Sequence, residues 1–314
     1  MGLYPRNLNE FVASMGIPRG PLSQVYIVDP VNGDDDNTGK TWQSPLKTLT
    51  AAEDLCTADR HDCVLFLSGD TADNPTVAIV WDKDYTHLIG LSSSVYGLGQ
   101  RCRVVAQAAA EISPVITFSG NGCIVKNMQF YNEKAAGAAA GCVIVTGSRN
   151  YFENVFFMTP VASDAASYSL KMSGSENVFK KCTIGQYTNA RSAASYGLWL
   201  HGATAVSRNI FDECRFLSWG ALDDHSLVYI DADIVTVPWL TEFHNCLFAN
   251  NAGGGDTLTS AITDASTAVG HQVLLTGKND FAGCDAVGST LTYIFNAEQG
   301  TTASGLLMVA VAES

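Results

Sequence analysis

Basic residues are scarce in this chain: 18 Lys and Arg stand against 31 Asp and Glu, for a net charge of −13. They form no cluster, which excludes a phosphate-binding surface, because nucleic-acid affinity is mostly neutralisation of the phosphate backbone. Also missing is any run of about 18 apolar residues, the length a membrane-spanning helix needs. The opening Met1-Gly2-Leu3-Tyr4-Pro5 has no basic stretch leading into an apolar one, so no secretory signal is expected. The expectation is a soluble protein made in a cytoplasm, with neither a nucleic-acid nor a membrane partner. The nine cysteines contain no C-x-x-C pair and are odd in number, which argues against a zinc or disulfide framework and for free thiols. Charged residues make up 16% of the chain and apolar ones 46%, so there is enough material for a sizeable core and too little charge for disorder.

Long helical periodicities are lacking as well. Short runs of Val, Ile, Phe and Thr alternate with Gly, Ser, Asn and Asp clusters, a pattern of many short strands and an all-β class. The runs repeat. Phe152-Glu-Asn154-Val155-Phe-Phe157 aligns with Phe179-Lys-Lys181-Cys182-Thr-Ile184, Phe211-Asp-Glu213-Cys214-Arg-Phe216 and Phe243-His-Asn245-Cys246-Leu-Phe248. A weaker copy, Val125-Lys-Asn127-Met128-Gln-Phe130, precedes them and a degenerate one, Phe281-Ala-Gly283-Cys284, follows, giving leading-residue intervals of 27, 27, 32, 32 and 38. A second strand before each unit ends in a small residue, with Gly120, Gly147, Gly174 and Gly202 on the same period and Gly277 after Val273-Leu-Leu275-Thr.

Two landmarks on one period, with growth confined to loops, describe the coils of a parallel β-solenoid. Stacked coils set equivalent residues about 4.8 Å apart, the strand spacing. The expected ladders are Phe152, Phe179, Phe211 and Phe243, beside a small-residue column of Cys182, Cys214, Cys246 and Cys284. Free cysteine packs as a small hydrophobe, so a structural role is expected for the thiols.

The ends differ from the middle. Residues 1–24 carry three prolines and a short apolar-periodic piece around Leu8, Phe11, Val12 and Met15. They are expected to be an anchoring arm pinned to the solenoid or to a partner, with Leu3, Tyr4, Arg6, Phe11 and Arg19 as its contacts. Residues 25–60 read as a strand, an Asn/Asp/Gly-rich turn and a short capping helix bearing Leu46, Leu49, Ala52 and Leu55 on one face. The solenoid is expected over 61–290, and a closing strand or oligomer contact over 291–314.

The segment from Val28 to Ala52, with Asp29, Asn32, Gly33, Asp35, Asn37, Gly39, Ser44, Pro45, Thr48, Leu49 and Ala52 in place, resembles the opening of right-handed parallel β-helix proteins of the pectate-lyase-like superfamily. That resemblance implies the fold. Such openings are frequent in bacteriophage tailspikes and virion proteins and in bacterial carbohydrate-active proteins. The acidic run Asp34-Asp35-Asp36 invites calcium, since hard cations take clustered carboxylates, but lacks the spacing of a dedicated calcium loop. No cofactor or metal is expected otherwise.

Chemistry is sought among carboxylates and aromatics. Asp223, Asp224 and His225 lie close to Asp231 and Asp233 in sequence, with Glu242 and His244 one coil on. Glycoside hydrolysis needs two carboxyl groups about 5–9.5 Å apart, a role that Asp224 and Asp231 are candidates for. The companion motifs of polygalacturonases are absent, and a turn-forming role is the plainer account. Trp199, Trp219 and Trp239, with Tyr187 and Tyr196, suit either sugar stacking or a subunit interface.

Three functions follow as expectations. The favoured one is a non-enzymatic phage virion protein located in the virion, a homotrimeric capsid-decorating β-helix bound through its arm to capsid or tail proteins. The second is a tailspike depolymerase or glycoside hydrolase using Asp223, Asp224 or Asp231. The third is a non-catalytic module for host-surface glycan.

Overall fold

Runs of three to six residues rich in Val, Ile and Phe make strands too short to bury an inward face alone, and only stacking of successive coils completes a core. In the computed structural model the chain winds as a parallel β-solenoid. The structure describes residues 8–92, 102–134, 140–158, 166–188, 194–202, 206–220, 225–234, 240–251, 257–266 and 273–288, and the backbone of Ile294–Asn296 and Val309–Ala310. Each central coil gives one strand to each of three sheets: Tyr151–Glu153 to the first, Phe156–Met158 to the second and Ser167–Met172 to the third. The next coil repeats this with Val178–Lys180, Thr183–Gly185 and Ser195–Leu200. The one after does so with Asn209–Asp212, Arg215–Ser218 and Ser226–Ile230.

The parallel register sets Phe152, Phe179, Phe211 and Phe243 in one inward column, continued by Val125 below and Leu275 above. Their rings stack almost face to face, with centroids 4.7, 4.8 and 5.1 Å apart. All four are fully buried, and each contributes roughly 1.5–3 kcal/mol by area burial.

The corner between the first and second sheets is one residue held in the left-handed region: Asn154, Lys181, Glu213 and Asn245 all have φ of 51–54°. The following residue turns inward. The corner between the third and first sheets is closed by an asparagine ladder. The amide oxygens of Asn150, Asn177 and Asn209 accept the backbone N–H of Cys123, Asn150 and Asn177 at 2.7, 2.9 and 2.9 Å. Their amide nitrogens donate to the carbonyls of Gly120, Gly147 and Gly174. The glycines share a period for a steric reason: a Cβ on Gly147 or Gly174 would collide with the carbonyl oxygen of the glycine one coil below.

The ladders depart from expectation at their upper end. Phe281 pairs with Phe248 in the second sheet, whereas the first-sheet partner of Phe243 is Leu275. The interval of 38 therefore joined two different columns, and Phe243 to Leu275 is another step of 32. Cys284 accordingly leaves the cysteine column and pairs with Leu258 in the third sheet. The column is traced by backbone bonds in which the residue after each member donates to the member below. It runs Cys102, Met128, Val155, Cys182, Cys214 and Cys246, with Asn279 above. Gly277 follows a first-sheet strand, Val273–Thr276, and so does not continue the Gly120 series.

Val25–Val28 is already a first-sheet strand, and Val309–Ala310 closes that sheet antiparallel to Ile294–Asn296. Helix Leu49–Leu55 covers the lower end of the core with Leu49 and Ala52 buried, while Leu55 is 42% exposed and takes no part. The acidic turn serves this cap. Asp35 accepts from the N–H groups of Lys47 and Thr48 and from the Thr48 hydroxyl, each at 2.9 Å, and Asp34 accepts from the Asp36 N–H. The Asp34 and Asp35 carboxylates are turn clamps.

The N-terminal segment lies on its own solenoid. Helix Leu8–Ser14 and Ile17 pack Val12, Leu8, Phe11 and Met15 against the outward side chains Cys63, Leu65, Ile89 and Ile124 of the first sheet. Arg19 donates to the carbonyls of His61 (2.6 Å) and Gln24 (3.2 Å) and to the Asn9 side chain. Of the arm contacts expected at the solenoid or a partner, Phe11 meets the apolar outer face of the first sheet and Arg19 meets backbone carbonyls of the same chain. Leu3, Tyr4 and Arg6 lie outside the described residues.

Candidate functional site

On the third sheet the register aligns Lys171, Trp199, Tyr229 and Thr263 in one outward row. Tyr168 and Tyr196 form a second aligned pair three residues earlier, and both rings contact the Trp199 indole, at centroid distances of 5.6 and 5.0 Å. Tyr196 stacks on Tyr229 at 4.2 Å. The Lys171 ammonium lies over the indole, 3.8 Å from its centroid. Burial lowers the Lys171 pKa, and the charges of Asp231 and Asp233 act against that. Burial likewise pushes the Tyr196 hydroxyl up to about 12.

Beyond the row, where the strands end, three polar side chains converge. His201 Nδ1 is 2.9 Å from Asp231 Oδ2 and 3.0 Å from Asp233 Oδ2. The Trp199 Nε1–H donates to the same Asp231 oxygen at 2.7 Å. Backbone bonds from His201 N to Met172 O (2.9 Å) and from Asp231 N to Leu200 O (3.0 Å) continue the sheet and fix both residues. Burial raises the Asp231 pKa, but hydrogen bonds from His201, Trp199 and the Asp233 N–H outweigh it and hold the carboxyl below its usual range. It is an ionised acceptor near neutral pH.

The carboxylate group expected from the sequence is divided by the fold. Asp231 and Asp233 belong to this site. Asp223 and Asp224 lie outside the described residues. His225 is buried, with Nδ1 2.8 Å from the Ser195 hydroxyl, itself buried, so this Ser–His contact is a core contact. Glu242 and His244 are on the first sheet, both bonded to the Thr276 hydroxyl. The tryptophans do not line up either: Trp219 follows the second-sheet strand Arg215–Ser218, and Trp239 lies outside the described residues.

His201 and Lys171 were not singled out from sequence. Their signal was present in the small-residue landmark. Leu170-Lys-Met172-Ser-Gly174, Leu198-Trp-Leu200-His-Gly202 and Val228-Tyr-Ile230-Asp-Ala232 align the row Lys171, Trp199, Tyr229 and, two residues on, Ser173, His201 and Asp231.

No family model matches the chain, and no curated protein does. Solved structures do match. A pectin methylesterase variant in complex with a hexasaccharide is similar with a TM-score of 0.57 at 14% identity, over 89% of this chain and 91% of that one. A pectin methylesterase from Erwinia chrysanthemi gives 0.53 at 14% identity, covering 91% and 92%. A pectate lyase gives 0.50 at 16% identity, covering 93% and 83%. The chain shares their parallel β-helix fold. At these identities the likeness carries the architecture alone, and it has no bearing on phage origin.

Proposed function

We propose that the chain is a glycan-binding β-solenoid that holds carbohydrate on the outer face of its third sheet without cleaving it. The observation that supports this most directly is the junction of an aromatic row with an acceptor cluster, through the bond from Trp199 Nε1 to Asp231. A sugar ring offers an apolar C–H face and a rim of hydroxyls. The Trp199, Tyr196 and Tyr229 rings meet the first need, and the Asp231 and Asp233 carboxylates, which only accept hydrogen bonds, meet the second. Cleavage by a carboxylate pair is the weaker reading. Asp231 and Asp233 share one His201 nitrogen and Asp231 is held ionised, whereas a hydrolase needs one carboxyl protonated and set apart from the other. The virion setting draws its support from the opening motif, and a host-surface glycan would be the partner in that setting.

The test is a glycan array followed by calorimetric titration of the best hit. Wild type is expected to bind, and Trp199→Ala to lose about tenfold or more in affinity with an unchanged circular dichroism spectrum. A blank array, or equal affinity in Trp199→Ala, overturns the proposal. Release of new reducing ends or unsaturated products by wild type, abolished in Asp231→Asn, would replace it with the enzymatic reading.

A further inference from the structure

We propose that His201, Asp231 and Asp233 form a site for one divalent transition-metal ion of the zinc class. The proposal rests on the donor geometry and not on glycan binding.

The three donor atoms come from adjacent coils and lie within 4.8 Å of one another. Two of the separations, 2.9 and 3.0 Å from His201 Nδ1 to the carboxylate oxygens, are already those of neighbouring ligands on one ion. With metal–nitrogen and metal–oxygen bonds of about 2.0–2.2 Å, such ligands sit roughly 3 Å apart. The ion replaces a proton. Both neighbours of Nδ1 are carboxylates, which only accept, so Nδ1 carries hydrogen when it bonds to them. Metal binding moves that proton to Nε2 in a neutral ring, or releases one proton to solvent from a charged ring, and the Nδ1 lone pair goes to the ion.

The donor set selects the class. One imidazole nitrogen with two carboxylate oxygens suits zinc and its neighbours, whereas calcium takes six to eight oxygens. Supporting bonds stay in place when the ion enters. Asp231 Oδ2 keeps the Trp199 indole N–H, Asp231 Oδ1 faces the Asp233 N–H at 3.4 Å, and Asp233 Oδ1 faces the Gly202 N–H at 3.4 Å. Such outer contacts orient ligands and tune affinity. The side chains of His201 and Asp233 are 34% and 43% exposed, which leaves the solvent side of the ion open for water or a ligand hydroxyl. Two carboxylates and the Lys171 ammonium sum to one negative charge, so a dication leaves the cluster with one positive charge.

The experiment is calorimetric titration of zinc chloride into untagged, chelator-stripped protein at neutral pH without sugar, paired with histidine nitrogen NMR. One zinc per chain is expected, with His201 Nδ1 losing its proton. His201→Gln and Asp233→Asn should weaken binding by about tenfold or more while circular dichroism stays unchanged. Both positions are partly exposed, and either variant alone suffices. Absence of zinc binding, or equal binding in both variants, overturns the proposal. Because sugar is absent, neither result touches the Trp199→Ala test of glycan binding.

Discussion

The Trp199 indole and the Asp231 carboxylate meet at 2.7 Å across two neighbouring coils, 32 residues apart in sequence. That bond ties the aromatic row to the polar cluster and makes Asp231 the hub of the site, since it also receives His201. Replacing Asp231 by Asn keeps the shape and removes the charge from both bonds. Asp231→Asn should lower stability by about 1–2 kcal/mol at neutral pH, as for charge-assisted hydrogen bonds, measured by urea unfolding. Asp231 has a folded pKa below its unfolded value, so its contribution is present above the ordinary carboxylate range and lost as pH falls through the folded pKa. The gap between variant and wild type should therefore close in strong acid.

Phe179 and Asn177 support the same coil by different means. Phe179→Ala should cost about 3–5 kcal/mol by opening a cavity in the stacked rings. Asn177→Ala should cost about 2–6 kcal/mol although it removes little volume. It orphans the Asn150 N–H and the Gly147 carbonyl, and each unsatisfied buried group costs about 1–3 kcal/mol. Denaturant unfolding checks both, and a neutral Asn177→Ala would contradict the ladder.

His87 is buried and held neutral. Its Nδ1 accepts the Ile124 N–H at 3.2 Å, so its Nε2 carries the proton and donates to His61 Nδ1 at 3.1 Å. Burial, with His61 and Arg19 adding to it, pushes its pKa down to about 3 from 6.5. The unfolded chain then takes up a proton that the folded chain refuses, and stability falls as pH drops from 6.5 towards 3, at about 1.4 kcal/mol per pH unit. Asp73 opposes this. Burial raises its pKa to about 6 from 3.8, so the folded state gains the proton first and stability rises as pH falls through that window. Between about pH 6 and 4 the two slopes cancel. Asp73→Asn should steepen the loss of stability on acidification, and His87→Gln should reverse it, by urea midpoints at pH 7, 5 and 4.

Arg19 latches the N-terminal helix through the carbonyls of His61 and Gln24. Arg19→Ala should speed proteolytic cleavage within residues 8–24 while the solenoid stays resistant. Equal cleavage rates would mean that the apolar contacts of Val12 and Ile17 hold the segment unaided.

The fold was largely legible because Phe152, Phe179, Phe211 and Phe243 occupy one column whose spacing loops do not disturb. Legibility failed at Phe281 for a physical reason. Several coils have a second inward aromatic, as at Phe216 and Phe248, and the local pattern of Phe followed by Cys at Cys284 mimics the first column. Asn279, which stands above Cys246 in the column, marks the true corner. The candidate site was half legible. Asp231, Asp233 and Trp199 were named from residue type, but their meeting with His201 depends on strand register, which composition does not reveal. Glu242 and His244 looked close in sequence and are separated because one coil carries three sheets facing three ways.

The asparagine ladder and the stacked phenylalanines have a mechanical consequence. The central coils are held by the coils above and below, so tension applied at the C-terminus loads one rung at a time. The protein should yield as a zipper, with a sawtooth of near-equal forces, each tooth from the coils between Val125 and Leu275 releasing 27 or 32 residues, roughly 90–110 Å of extended chain. A solenoid of this kind is a graded spring whose length under load is counted in whole coils.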